Sequence, residues 1–441
     1  MRRVAHARPL RAATAASTAN KRLHSAAAVA VMGVVVLALA GCAGGGASAA
    51  DDKTLRVAMG SPGEAQIRVW ESVAEQFEAA NDGWKVDLNF QDDDMYQTIG
   101  LPNLLNGRNA PDVYFEWAGN RLATRNDDGF VADLTPFVED GPLTGVLEDD
   151  QYGAVTADGR ILMVPHIADV TNVLWYNTEI LDAEGLEAPT SWDELLEACD
   201  TLAADGIVPI ASGNKDLWAA GNWLAHLVSR VVGHEEYDKA LSGQADFDTP
   251  EWKTAFGYVE DLAEHKCVNE SVNAIDDNEG AQLFFQGKAA MHAIGSWLVS
   301  WAIDEAPDLD FDFVNLPAMP GEADPDSVIG VITGYVVNAK SGHDKQEKAA
   351  EFLALLSSAE NTQAFIEAEA VPVTATASAS IDERTIRLNS LLSEAPVVIS
   401  PPDTGYDLDV ADAFYRSLAE VLGGRTSADD AVTQLQEQTS K

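Results

Sequence analysis

The first part of the chain alternates short strand-like segments with longer helical ones. Residues 54–60 (TLRVAMG) carry apolar side chains at every second position, the pattern of a strand with one buried face. Residues 65–81 repeat apolar side chains every three or four positions, which predicts an amphipathic helix. A strand at 84–90, a helix around 95–105 and a strand within 110–117 follow. Strands separated by helices pair in parallel, so the pattern predicts an α/β lobe with a doubly wound sheet.

The rest of the chain predicts a second body that is richer in helices. Residues 161–181 pass through Pro165 into a strand, and a helix within 190–206 begins at a Thr190 or Ser191 cap with Glu194 as its capping-box partner. The same patterns predict a helix at 250–266, a helix, strand and helix within 279–304, strands within 311–322 and 326–339, two helices within 345–369, and further helices at the carboxyl end.

Ligands of doubly wound sheets bind outside the carboxyl ends of the strands. In the first lobe these ends follow Met59, Phe90 and Phe115. We therefore expect binding residues in the three segments that come directly after these positions.

The amino-terminal residues have the layout of an export signal. An uncharged run of 15 residues from Ala26 to Ala40 follows six basic residues and no acidic one. It is short for a membrane span, which needs about 20 residues. The segment Leu39 to Cys42 resembles the bacterial lipobox, in which the cysteine is acylated, and a glycine- and alanine-rich tether follows. We predict a signal peptide at 1–41, lipidation of Cys42 and a tether at 42–53; the alternative is a buried cysteine at the end of a packed helix.

Composition narrows the possible partners. Without residues 1–41 the chain keeps 22 basic and 71 acidic residues, a net charge of −49. Such a surface repels nucleic acid, so no nucleic acid partner is expected. About 400 residues with 46% apolar content exceed one ordinary core and predict two lobes. Cys199 and Cys267 either pair outside the cell or lie buried as small hydrophobic residues.

Four segments in order resemble the solute-binding lipoproteins of carbohydrate ABC transporters (family 1, of the maltose- and oligosaccharide-binding type). They are 109–137 (NAPDVYFEWAGNR and onward), 164–213 (VPHIADVTNVLWYN and onward), 286–297 (QGKAAMHAIGSW) and 347–373 (EKAAEFLALLSSAEN and onward). The resemblance implies the periplasmic-binding-protein fold, with two α/β lobes that close on a sugar about a hinge. It also implies a permease partner in the membrane, a lipid-anchored extracytoplasmic location, a monomer, and no catalysis, cofactor or metal.

The resemblance also suggests where the chain passes between lobes. We place the crossings near Pro165, Pro317 and Val371. Lobe I then comprises 54–164 and 318–370, and lobe II comprises 165–317 and 371–441.

Sugar sites combine flat aromatic faces, which stack on the rings, with planar polar groups that bind adjacent hydroxyls. Trp297 is the leading candidate, with Gly295 beside it to let the backbone approach the ligand. Trp117 is the next, because polar residues surround it just after a strand. The candidate ligand-binding residues are Trp297, Trp117, Glu116, Asn120, Asp169, Trp218, Asn222, Trp223, Glu64, Gln66, Asp94, Tyr96, Asp403 and Tyr406.

Several of these candidates have structural alternatives. Trp117 would otherwise cover the core, one of Trp218 and Trp223 is expected to be packing, and the acidic run around Asp94 would cap the helix that follows it. Trp301, one helical turn after Trp297, is as much a core residue as a site residue. Trp175 is expected in the core because it lies inside a strand with apolar neighbours.

Two other functions remain open from the sequence. A secreted glycoside hydrolase needs only two carboxylates at a set separation, and 71 acidic residues supply such pairs by chance. No metal-protease, nucleophile-elbow or phosphate-loop motif is present in the sequence. The acidic surface would also steer a polyamine, whose sites share Trp and Asp with sugar sites.

If Cys42 is the lipidation site, Cys42→Ser should release the protein from the membrane with its ligand affinity unchanged. The measurement is fractionation of cells that express each form, followed by a binding assay on the released protein. Membrane association of the variant that only detergent reverses would contradict the lipobox.

Overall fold

The structure is a computed structural model that describes residues 53–368, 370–375 and 381–440. The predicted signal peptide, Cys42 and nearly all of the tether lie outside the described residues. The strands are β1 (Thr54–Gly60), β2 (Lys85–Gln91), β3 (Val113–Trp117), β4 (Thr156–Ala157), β5 (Arg160–Ile161), β6 (Val164–Val170), β7 (Val173–Asn177), β8 (Val208–Ala211), β9 (Ala289–Ile294), β10 (Phe311–Val314), β11 (Val328–Val337) and β12 (Val398–Ile399).

Helices make up most of the remaining described structure. They are α1 (Glu64–Ala80), α2 (Asp93–Met95), α3 (Leu101–Leu105), α4 (Asn120–Asp127), α5 (Thr135–Asp140), α6 (Thr178–Glu184), α7 (Trp192–Ala204), α8 (Trp218–Val232), α9 (His234–Leu241), α10 (Pro250–Glu264), α11 (Asp277–Phe285), α12 (Leu298–Glu305), α13 (His343–Leu356), α14 (Ala359–Glu367), α15 (Glu383–Glu394), α16 (Pro402–Gly405), α17 (Leu408–Leu422) and α18 (Ala428–Thr439). A π-helical turn at Tyr96–Gly100 joins α2 to α3, and a 3-10 segment spans Asp149–Val155.

The first sheet has the strand order β12-β11-β3-β1-β2, and β6 pairs with β11. The pairs β1–β2 and β1–β3 are parallel, as the strand-helix alternation predicts. β11 runs antiparallel to β3 and β6, so the sheet is mixed. A core that includes Val57, Trp70, Tyr114, Phe352 and Phe365 lies against this sheet; we call it the first core.

The second sheet has the order β10-β7-β9-β8 and is also mixed, since only β8–β9 is parallel. A mainly helical core that contains Trp223, Phe256 and Phe414 lies on one side; we call it the second core. A smaller cluster that includes Trp175 and Leu298 is the third core. Trp175 is fully buried, as its position inside a strand predicts.

Two long strands connect these cores. β6 begins at Val164 in the first core and ends at Val170 in the third. β11 runs the opposite way, from Ile329 in the second core to Val337 in the first. The pair β6–β11 therefore carries the chain between the two lobes of the fold.

The sequence placed one crossing near Pro317, but Met319 still packs in the second core. Ala318 also pairs with Ser191, at the start of α7. The chain reaches the first core only later, within β11. The residue bounds of the lobes stay a prediction.

Local signals located the helices better than they located irregular turns. Ser191 and Glu194 form the predicted capping box at the start of α7. The single helix expected at 95–105 is instead divided among α2, the π-helical turn and α3. The buried Tyr96 lies at this turn, with its hydroxyl 2.7 Å from the carbonyl oxygen of Phe115. Among the described residues, no helix has both the length and the apolar character needed to cross a membrane.

Cys199 and Cys267 form a disulfide inside the second core, 68 residues apart in sequence. Of the two alternatives from the sequence, the structure shows the disulfide. Neither cysteine lines the large cavity described below.

We expect Cys199→Ala/Cys267→Ala to lower the free energy of unfolding by about 2–4 kcal/mol, because the unfolded chain loses a covalent constraint. Urea denaturation measures this change, and addition of reductant to the double variant is the control that should have no further effect. Ligand affinity should stay the same at temperatures where the variant is folded. A large loss of affinity on reduction would show that the disulfide shapes the site.

Candidate functional site

A cavity of about 630 Å³ lies at the carboxyl ends of β1, β2 and β3. This is the edge of the first sheet at which the sequence predicts binding residues. The opposite wall comes from the start of α8 and from the turn between β9 and α12. The cavity therefore lies between elements of the two lobes.

Trp297, at the start of α12, forms part of the second-lobe wall and is half-buried. Its ring lies over Gly295, where an added Cβ would overlap the ring atoms. The ring of Trp218 is its neighbour, with centroids 6.0 Å apart and planes inclined at 50°. The sequence assigned Gly295 to close approach of a ligand, but the structure shows that it makes room for the ring of Trp297.

Trp117, at the end of β3, forms an aromatic wall on the first lobe. Phe115 packs edge-on against it at 4.8 Å between centroids. The guanidinium of Arg121 lies 4.7 Å from the centroid of the Trp117 ring, a cation–π distance. These contacts fix the ring beside the cavity.

Asp93 and Gln97 form a polar group next to Trp117. The Gln97 amide donates to the Asp93 carboxylate, and Arg121 donates to Oε1 of Gln97 at 3.2 Å. Burial raises the pKa of Asp93, while the Gln97 hydrogen bond and the Arg121 charge oppose that rise. Gly60 permits this arrangement, because a Cβ there would overlap the Asp93 carboxylate.

Asp169, on β6, lies on the strand that connects the lobes and lines the cavity. The Ser296 hydroxyl donates to its Oδ1 at 2.7 Å. Burial raises the pKa of Asp169 to about 6, and the Ser296 hydrogen bond opposes the rise. At neutral pH the carboxylate is mostly ionised and accepts hydrogen bonds.

Asn222 and Asp403 are held together by Tyr415 of α17. The Tyr415 oxygen lies 2.6 Å from Oδ1 of Asn222 and 2.9 Å from Oδ1 of Asp403. A phenol has one proton, so it donates to one of these oxygens at a time. The Tyr415 ring packs against Gly221, where a Cβ would overlap it.

Eight of the fourteen candidate residues line the cavity. Trp297, Trp117, Asp169, Trp218 and Asn222 are described above. The others are Glu64, Gln66 and Asp403.

Five candidates do not line the cavity, and three of these five are buried elsewhere. Trp223 is 1% exposed in the second core, which makes it the packing member of the Trp218 and Trp223 pair. Tyr96, the first residue of the π-helical turn, is fully buried. Glu116 is buried in an ion pair with Arg125 at 3.1 Å.

Asn120 and Tyr406 contact each other instead of the cavity. The Asn120 amide donates to the carbonyl oxygen of Tyr406 at 2.7 Å. The Tyr406 hydroxyl bonds to Asp238. The side chain of Asp94, the remaining candidate, lies outside what the structure describes.

Sequence reasoning missed Asp93, Gln97, Ser296 and Tyr415. Asp93 stands in the same acidic run as Asp94, so the sequence indicated the correct segment but did not distinguish its individual residues. Ser296 adjoins Trp297, and a search for polar neighbours of that ring would have found it. Tyr415 gave no such signal, because its spacing in α17 is that of a core residue.

Residues 62–363 match the model of the bacterial extracellular solute-binding protein family. The chain belongs to this family. It is 26% identical over 189 residues to an uncharacterized ABC transporter extracellular-binding protein of Pyrococcus horikoshii, covering 42% of this chain and 41% of that protein. It is 30% identical over 172 residues to a probable sugar-binding periplasmic protein of Brucella suis, covering 37% and 39%. The match thus spans about two fifths of these curated relatives.

Solved structures show the same two-lobed fold. One, described with xylan utilization by the thermophilic bacterium Caldanaerobius polysaccharolyticus, has a TM-score of 0.79 at 23% identity and covers 87% of this chain and 99% of that chain. A chitin oligosaccharide binding protein has a TM-score of 0.77 at 22% identity and covers 88% and 98%. At sequence identities of 22–23%, this structural similarity establishes the fold alone.

We expect Gly295→Ala to displace the Trp297 ring, because the new methyl group would occupy the same space. Loss of the exciton couplet of the Trp218 and Trp297 pair in far-ultraviolet circular dichroism would report the movement. Gly257→Ala in α10 is the matched control, since nothing lies within 4 Å of a Cβ there. An unchanged couplet in Gly295→Ala would contradict this account of the ring.

Proposed function

We propose that this protein binds an extracellular carbohydrate between its lobes and presents it to the permease of an ABC importer. The observation that carries the proposal is the combination of half-buried tryptophan rings on both walls of one cavity with carboxylates and amides between them. Rings of this kind stack on sugar faces, and carboxylates accept hydrogen bonds from sugar hydroxyls.

The size of the cavity and the spread of its aromatic side chains favour a di- or oligosaccharide. About 630 Å³ is within the usual range of small-molecule sites. Trp117 belongs to one lobe, whereas Trp218 and Trp297 belong to the other. Two separate stacking surfaces suit a ligand of more than one ring.

Family membership supports the transport role. The family is one of extracellular solute-binding proteins, and the Brucella suis relative is a probable sugar-binding periplasmic protein. The structural neighbour described as a chitin oligosaccharide binding protein has the same fold. We infer a monomer that is held at the outer face of the cell membrane by a lipid on Cys42 and that has no catalytic activity.

A thermal-shift screen of the mature protein against mono- and oligosaccharides tests the proposal. A ligand at 100 times its Kd adds about 2.7 kcal/mol of stability, so a true ligand should raise the Tm clearly. The screen should also include spermidine. A separate assay should measure reducing sugar released from oligosaccharides. A Tm rise with spermidine alone, or hydrolysis of an oligosaccharide, would overturn the proposal.

Trp297→Ala should lower the affinity for the sugar by tens to hundreds of fold. Loss of a stacked aromatic at a binding hot spot costs roughly 2–4 kcal/mol. The Tm should fall only modestly, because the ring touches the edge of the third core but opens onto the cavity and leaves no closed void. Calorimetric titration measures the affinity.

Trp84→Ala is the matched control, since Trp84 is also half-buried but packs against the first core away from the cavity. This variant should lose stability and keep its affinity. A lowered Tm with retained affinity in Trp297→Ala would instead make Trp297 a structural residue.

A further inference from the structure

The charge of the cavity is strongly one-sided. Eight carboxyl side chains line it, among them Asp92 and Asp93 after β2, Asp169 on β6, Asp304 in α12 and Asp403 in α16. None of the described residues that line it is lysine or arginine. The lining therefore has no cation of its own to offset this charge.

Arg121 lies behind the first-lobe wall and does not line the cavity. Its guanidinium donates to Gln97 and lies over the Trp117 ring. The charge of Arg121 favours the ionised form of Asp93, so it helps to keep that wall acidic. It is not positioned among the lining groups as a partner for an anionic ligand.

Burial makes this charge costly. Desolvation raises the pKa of both Asp93 and Asp169, which means that the protein destabilises their ionised forms. A second negative charge brought into the cavity would add like-charge repulsion in a partly desolvated space. A positive charge would reduce the cost of keeping these carboxylates ionised.

A further polar residue lines the cavity. Thr171 is 4% exposed and lines the cavity, and its hydroxyl has no hydrogen-bond partner among the described residues. An unsatisfied buried polar group costs about 1–3 kcal/mol; the hydroxyl oxygen itself has almost no accessible surface, so a ligand relieves this cost only when the Thr171 side chain turns towards the cavity. This observation is independent of the acidic lining.

The lining suits an organic cation better than a metal ion. Among the described residues, no group of three or more His, Cys, Asp or Glu side chains is placed to hold a metal ion. The tryptophan rings of both walls, in contrast, attract an organic ammonium group through the ring faces. An ammonium also donates up to three hydrogen bonds, to acceptors that the carboxylates supply.

We propose that the sugar bound here carries a protonated amine, that is, an amino sugar, and that uronic acids and sugar phosphates are excluded. The proposal rests on the proposed sugar-binding function and specifies its substrate class. The ring and hydroxyls of such a ligand use the tryptophans and amides, while its ammonium group lies among the carboxylates.

Calorimetric titration with four trisaccharides tests the proposal. Three are the β-1,4-linked trimers of glucosamine, N-acetylglucosamine and glucose, and the fourth is the trimer of galacturonate. The measurement is made at a pH at which the free amine is protonated. The glucosamine trimer should bind at least tenfold more tightly than the two neutral trimers, with a difference that shrinks as salt is added. The galacturonate trimer should not bind.

Equal or tighter binding of a neutral trimer, or any binding of galacturonate, would overturn the amino-sugar proposal. So would a failure of the glucosamine trimer to bind. If another sugar raises the Tm in the screen, the sugar-binding function survives that failure. Binding of spermidine without any sugar would overturn both proposals.

A charge variant provides a second test. Asp304 is exposed at the cavity, so Asp304→Asn should leave the fold intact while removing one lining charge. The ratio of glucosamine-trimer to glucose-trimer affinity should fall about threefold, as expected for one charge across a short, partly hydrated distance. Asp344→Asn in α13 removes an equal charge away from the cavity and should leave the ratio unchanged. Equal effects of the two variants would show that only net charge matters and would overturn the local assignment.

Discussion

The antiparallel pairing of β6 with β11 is the constraint on which the rest of the structure depends. Each strand begins in the core of one lobe and ends in the core of the other, so their ladder is both a part of the first sheet and the connection between bodies. Few crossings between two compact bodies favour closure by hinge motion. Asp169 lies on this ladder and also lines the cavity, which places a cavity-lining carboxylate directly on the connecting element.

The two walls of the cavity are built by different means. On the first lobe, polar side chains emerge from strand ends, where parallel strands bring their carboxyl ends to one edge. On the second lobe, Trp218 is the first residue of α8 and Trp297 immediately precedes α12, and Gly295 makes room for the Trp297 ring. Gly60 accommodates a carboxylate and Gly295 accommodates an indole ring. Both walls thus depend on positions at which the backbone has no side chain.

Much of this organisation was predictable from the sequence, because apolar periodicity locates strands and helices and because strand order fixes the binding edge. The regular elements of the first lobe and the capping box of Ser191 are examples. What the sequence could not give was the direction of each side chain. Trp218 and Trp223 have the same chemistry in one helix, yet only the fold decides that Trp218 faces the cavity and Trp223 the core.

The partners of a group across the chain were equally hidden. Glu116 and Asn120 stand beside Trp117 in sequence. Glu116, however, forms an ion pair with Arg125, and the Asn120 side chain donates to the backbone carbonyl of Tyr406. Tyr415 joins Asn222 to Asp403 across 193 and 12 residues of chain. Such contacts arise from tertiary packing, for which local spacing contains no information.

The segment around α16 contacts both lobes. Asn120 of the first lobe bonds the backbone of Tyr406, and a Cβ on Gly119 would overlap the carbonyl oxygen of Thr404, so the segment lies directly on α4. Asp403 in the same segment faces the cavity and is tied to α17 through Tyr415. A ligand that contacted Asp403 would therefore act on both lobes, at a point remote from the β6–β11 ladder. Under the proposed function, occupancy of the cavity would in this way become a torque on the angle between the lobes, and a permease docked from outside would sense that angle.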